Sequence, residues 1–89
     1  MIQETITISN KLGLHARASA KLTKLAGGFT CDVWMTRNER SINAKSIMGV
    51  MMLAAGMGAT VEIETDGVDE REAMDGLLAL INDKFGEGE

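Results

Sequence analysis

The chain opens Ile2-Gln3-Glu4-Thr5-Ile6-Thr7-Ile8 and then runs Asn10-Lys11-Leu12-Gly13-Leu14-His15-Ala16-Arg17. In the first stretch Ile2, Ile6 and Ile8 alternate with Gln3, Thr5 and Thr7, the pattern of a strand with one buried face. Asn10-Lys11-Leu12-Gly13 breaks that alternation. From Ala16 to Ala26 the spacing turns helical, with Ala18, Leu22, Leu25 and Ala26 on one face and Arg17, Lys21 and Lys24 on another. His15, the only histidine, stands at the junction of the two elements. A helix start gathers anions through free N–H groups and the positive end of the dipole, so an imidazole there can carry a phosphoryl group. Arg17 adds a planar cation able to bind phosphate oxygens in pairs. Taken alone, a histidine at a helix start is more often a simple polar cap, and the flanking sequence has to decide.

Gly27-Gly28 closes this helix. Phe29, Cys31, Val33 and Met35 then alternate with Thr30, Asp32, Trp34 and Thr36, which predicts a second strand with Trp34 partly exposed on its polar face. Asn38-Glu39 is suited to a hairpin turn into a third strand, Arg40 to Asn43. Ser46 is a capping residue for a short helix over Ile47 to Leu53, and Leu53 is expected to pack inward. Gly56 and Gly58 mark a loop. Val61, Ile63 and Thr65 alternate with Glu62 and Glu64 in a fourth strand. Val68-Asp69-Glu70-Arg71-Glu72-Ala73 reads as a helix start, with Asp69 as cap, Glu72 at the capping-box position and Val68 stapled onto Ala73. That helix continues through Met74, Leu77, Leu78, Leu80 and Ile81 and is expected to fray near Phe85. The tail, residues 86–89, is expected to be disordered. The order βαββαβα predicts an α+β fold of one domain, residues 1–89. Its form is a two-layer open-faced β-sandwich, a four-stranded antiparallel sheet with three helices on one face.

Composition narrows the function. With 89 residues and 45% hydrophobic content the chain is one small globular domain. The single cysteine, Cys31, excludes an internal disulfide and is expected to be a small buried hydrophobe. One histidine and one distant cysteine offer no metal-ligand spacing, and no cofactor motif is present. No secretory signal pattern is visible, and the apolar run Met48 to Met57 is interrupted by glycines and too short to span a bilayer, so the expectation is a soluble cytoplasmic protein. The net charge of −4 hides an asymmetry: residues 1–45 hold seven Lys/Arg against three acids, and residues 46–89 hold two against ten. An acidic chain with two Phe, one Trp and no Tyr lacks the footprint of a nucleic-acid binder. The positive region around His15 suits a phosphate and an acidic protein partner. A small hydrolase with His15 as base finds no oriented nucleophile among the motifs.

Leu12-Gly13-Leu14-His15-Ala16-Arg17 together with Lys45-Ser46-Ile47-Met48-Gly49 resembles the histidine-containing phosphocarrier (HPr) family of the phosphoenolpyruvate-dependent sugar phosphotransferase system. The resemblance spans roughly residues 2–84. It implies that His15 accepts a phosphoryl group on Nδ1 from Enzyme I, with Arg17 assisting, and passes it to IIA domains of sugar-specific Enzymes II. It further implies a protein that is a substrate in a relay, monomeric when alone, with Ser46 a target of HPr kinase/phosphorylase. Ile47, Met48 and Met51, rimmed by Arg17 and Lys24, would be the docking face. One position departs from the family pattern, which places proline after the arginine where this chain has Ala18. Alanine keeps the helix and loosens its presetting, so tuned kinetics or a specialised partner, rather than lost function, is expected. The alternatives are a regulatory binding module on the same fold and a carrier in a nitrogen-related phosphorelay.

Overall fold

Three of the strand segments alternate apolar and polar residues, and such ribbons can only be satisfied by pairing and by covering one face. In the computed structural model, which describes residues 1–88, they do both. The elements are β1 (Ile2–Thr7), α1 (Ala16–Gly27), β2 (Asp32–Arg37), β3 (Arg40–Asn43), α2 (Ile47–Met52), β4 (Thr60–Asp66) and α3 (Glu70–Asn82), followed by a tight turn at Lys84–Gly86. The strands form one sheet in the order β1-β4-β2-β3, with every neighbouring pair antiparallel. β4 pairs with both β1 and β2, Ile63 lying opposite Glu4 on one side and Met35 on the other. β1 and β2 therefore run parallel with β4 between them, which requires the crossover that α1 provides. The α+β architecture read from the sequence holds, including the order of all seven elements.

Val33, Met35, Val61, Ile63 and Thr65 point to the core, while Asp32, Trp34 and Glu62 face outward. The helices contribute Ala18, Leu22 and Ala26 from α1, Val50 from α2 and Ala73, Met74, Leu77 and Ile81 from α3. Each large member of this core contributes about 1.5–3 kcal/mol by leaving water. Trp34 is partly exposed and Leu53 buried, as expected. Cys31 is buried too, and desolvation pushes its thiol above the ordinary range, so it packs as an apolar side chain. The hairpin turn has two residues, Asn38 and Glu39, both at positive φ (51° and 67°), the backbone that fits the twist of the flanking strands.

Two expectations are corrected. Asp69 stands at the start of α3 but makes no capping hydrogen bond there. Its carboxylate accepts from the main-chain N–H groups of Thr30 (2.7 Å) and Cys31 (2.8 Å), which lie just before β2 enters the ladder. Those bonds, Thr30 first, hold the Asp69 carboxyl below its ordinary value. Val68 is 91% exposed and staples onto nothing. The second correction concerns the C-terminus. Phe85 does not fray: it is fully buried, in a turn where it has φ 56°, and its carbonyl accepts from Lys21 Nζ at 2.6 Å. An aromatic side chain with a place in the core ties the turn after α3 to the body of the domain. Glu89 lies outside the described residues.

One glycine sets where α1 begins. Gly13 has φ 67°, and a Cβ added there would come within 2.5 Å of the Ala55 carbonyl oxygen and 2.6 Å of Gly56 Cα. The close approach lets Leu14 N–H donate to Ala55 at 2.9 Å. Gly13→Ala combines a left-handed alanine with a backbone clash and is expected to cost about 2–4 kcal/mol in chemical denaturation. A loss below 1 kcal/mol (order-of-magnitude threshold) would show that the 10–14 loop is not clamped in this way. For Asp69 the folded carboxyl is depressed, so its stabilisation is present above the ordinary value of 3.8 and fades as pH falls through the folded value. Urea midpoints of the native chain and Asp69→Asn are thus expected to differ most near neutrality and to converge in acid.

Candidate functional site

The loop after β1 is built to present His15. Ile8 leaves the sheet bonded to Ala59 and Gly58 (both 2.8 Å). Asn10 is fully buried, and its Nδ2 donates to Gly13 O at 2.8 Å across a tight turn. At the other end, Ser19 Oγ donates to Leu14 O (3.1 Å) and Ser19 N–H to His15 O (2.8 Å). Both sides of His15 are therefore held by hydrogen bonds. His15 itself is the N-cap of α1, extended at φ −74°, ψ 179°.

Each ring nitrogen has a partner. Nδ1 accepts from Arg17 N–H at 3.3 Å, while Nε2 lies 2.6 Å from Glu87 Oε2. A carboxylate only accepts and a main-chain N–H only donates, so the pattern assigns the proton to Nε2 and leaves the Nδ1 lone pair on the side of the helix N-terminus. The Nδ1 bond is at the long end of the hydrogen-bond range and is readily exchanged for another acceptor. An anion bonded to Nδ1 would take over the Arg17 N–H and sit at the positive end of α1. Glu87 Oε1 accepts from Asn10 Nδ2 at 3.0 Å. That bond first, and His15 after it, hold the Glu87 carboxyl below its usual value.

Lys11, Leu12, His15, Ala16, Arg17 and Glu87 line an open pocket of about 460 Å³, roomy enough for a phosphoryl group and the side chain that delivers it. The Arg17 guanidinium is exposed and makes no hydrogen bond or ion pair among the described residues. Lys24 is exposed two turns along the same helix. Ile47, Met48 and Met51 are exposed on α2, which packs beside α1, and Met48 keeps 67% of its surface. Ser46 is exposed and caps α2, its Oγ accepting from Gly49 N–H at 3.2 Å, but it lies outside the pocket lining. Ala18, where the resemblance implies proline, is fully buried in the core. Among the described residues no group of three His, Cys, Asp or Glu side chains could hold a metal ion, and no helix is long and apolar enough to cross a membrane.

Two residues of the site escape sequence reading, Asn10 and Glu87. Asn10 looks like any loop residue. Glu87 stands in a glycine-rich acidic tail, and the only signal is Phe85, an aromatic residue too apolar for a solvated end.

The family described as PTS HPr component phosphorylation site matches residues 2–83. The phosphocarrier protein HPr of Cupriavidus necator is 71% identical over 89 residues, covering 100% of both chains. The phosphocarrier protein NPr of Shewanella violacea is 41% identical over 97% of this chain and 94% of its own. Among solved structures, HPr-C-His from Thermoanaerobacter tengcongensis superposes with a TM-score of 0.95 at 44% identity, covering 98% of each chain. With the family matched over nearly the whole length and the histidine presented at a helix start, this chain belongs to the HPr family, the phosphocarrier proteins of the phosphotransferase system.

Proposed function

We propose that this single domain receives a phosphoryl group on His15 Nδ1 from Enzyme I and hands it to IIA domains, working in the cytoplasm as a relay substrate rather than as a turnover enzyme. The observation that carries the reading is the geometry at His15: Nε2 faces Glu87 Oε2 at 2.6 Å, and Nδ1 lies 3.3 Å from the Arg17 N–H at the start of α1. In the transfer the Nδ1 lone pair forms the new bond to phosphorus, and the donor keeps the electron pair of the bond that breaks. Phosphoryl transfer needs positioning and charge stabilisation above all. The Arg17 main-chain N–H and the unpaired Arg17 guanidinium are placed to supply both. Ile47, Met48 and Met51 offer flexible apolar contact beside the basic rim of Arg17 and Lys24, as a surface meeting several partners requires.

Ser46 is assigned the regulatory role, as a target of HPr kinase/phosphorylase. Its hydroxyl is exposed at the start of α2, where a phosphate would be tolerated and would place negative charge next to the docking face. A relay serving a nitrogen-related regulator is the second reading, supported by the relative named NPr. A purely regulatory module is disfavoured, because it would have no use for a histidine presented in an open pocket at the start of α1.

The test of the relay is intact mass after incubation with Enzyme I, magnesium and phosphoenolpyruvate, half of each sample being acidified. The expected result is one phosphoryl group that is lost in acid and absent from a folded His15→Ala variant. An unchanged mass beside an active Enzyme I overturns the reading. Ser46→Asp is expected to slow phosphorylation by Enzyme I about three- to tenfold at low salt, the gap shrinking as salt rises. Equal rates at low salt would remove the charge-based account of Ser46.

A further inference from the structure

Glu87 reaches back across the sequence to the one nitrogen of His15 that the transfer leaves untouched. Its placement is built rather than incidental. Phe85 locks the turn into the core, Lys21 on α1 holds the Phe85 carbonyl at 2.6 Å, and Asn10 holds Glu87 Oε1 at 3.0 Å while Oε2 meets Nε2 at 2.6 Å. The Asn10 amide accepts a cost for this. Its Nδ2 donates both to Gly13 O and to Glu87, so the amide cannot turn over, and Oδ1 is left buried without a partner among the described residues. An unsatisfied buried carbonyl costs about 1–3 kcal/mol. The charged groups about the ring are Lys11 and Arg17 on the pocket wall and Glu87 opposite them, with Lys21 behind the tail.

Resting on the carrier reading, we propose that Glu87 is a positioning residue for both half-reactions, holding the proton on His15 Nε2 while the phosphoryl group resides on Nδ1. When Nδ1 bonds to phosphorus the ring becomes an imidazolium with its positive charge shared by Nε2–H, and Glu87 Oε2 accepts that hydrogen. A carboxylate at this distance favours the charged ring, as the acid of a catalytic triad favours its imidazolium. Onward transfer reverses the bookkeeping: the P–Nδ1 bond breaks, its electron pair returns to Nδ1, and the ring departs as neutral imidazole. Were Nε2 deprotonated, the departing group would be an imidazolate anion, a far poorer leaving group. Glu87 therefore keeps the phosphorylated protein in the form that gives its cargo away, and Asn10 aims Glu87.

The experiment compares the full chain with Glu87→Gln and Glu87→Ala. Glutamine preserves shape and an acceptor oxygen but removes the charge. After phosphorylation by Enzyme I, the ¹⁵N shifts of phosphorylated His15 are followed against pH, and transfer to a IIA domain is timed at neutral pH. The midpoint of Nε2 deprotonation is expected to fall by about one pH unit in Glu87→Gln and at least as far in Glu87→Ala. Transfer is expected to slow about tenfold in both. Urea midpoints report separately the stability lost with the Asn10 bond, so the ¹⁵N midpoint and the transfer rate are compared in variants that remain folded. An unchanged ¹⁵N midpoint and unchanged transfer in variants that take up phosphate overturn the role of Glu87 and leave the carrier reading standing. Failure of the native chain to take up phosphate removes the carrier reading and this inference with it.

Discussion

The contact between Gly13 and the Ala55–Gly56 backbone is the constraint on which the site depends. It sets the direction in which the chain enters α1, because only a residue without Cβ can pass that close at φ 67°. From it follow the Leu14 N–H bond to Ala55, the buried turn closed by Asn10, and the extended backbone of His15. The reactive ring is thus referenced to the segment that follows α2. α2 and the His15 side chain therefore share one rigid frame. Loops positioned by a rigid scaffold are where such chemistry is usually found.

Electrostatics refine the picture offered by net charge. The N-terminal half holds seven Lys/Arg, yet four of them are committed to main-chain carbonyls. Lys21 holds Phe85, Lys45 holds Phe29, and Arg37 and Arg40 hold Leu53 and Met52 at the end of α2. These groups act as local staples, each satisfying a carbonyl that a helix end or loop leaves open. Their charges persist, but their ends are fixed to the chain. On α1, Arg17 and Lys24 lie exposed, with no bond among the described residues that ties their ends to a carbonyl.

What could be read in advance was what local rules govern. β2 and β4 announce themselves because alternation is forced by the pleat, and Asn38-Glu39 does so because a two-residue hairpin needs tolerant residues. Ser46 caps α2 as its residue type implies, since donor and acceptor lie within one turn. The placement of His15 and Arg17 at one helix start was legible for a similar reason, the two being two positions apart. Asp69 was not, because its partners Thr30 and Cys31 lie nearly forty residues away and outbid the adjacent helix end. Glu87 failed in the same manner. Its placement requires Lys84 and Phe85 at positive φ, a conformation that side-chain identity disfavours and that tertiary burial of the aromatic ring overrides.

The substitution at Ala18 can be weighed against the same frame. A proline there would fix one torsion of the first turn of α1 and contribute through reduced freedom of the unfolded chain. In this chain the first turn is already determined from outside: Ser19 ties to Leu14 and His15, and Gly13 and Leu14 are held by the 55–56 segment. Ala18 meanwhile places its methyl group in the closed core, where it meets no water. The presetting that proline supplies through the covalent chain is supplied here by packing and hydrogen bonds. Of the contacts that fix this helix start, the Arg17 N–H bond to Nδ1 is the longest at 3.3 Å and the one that yields most readily.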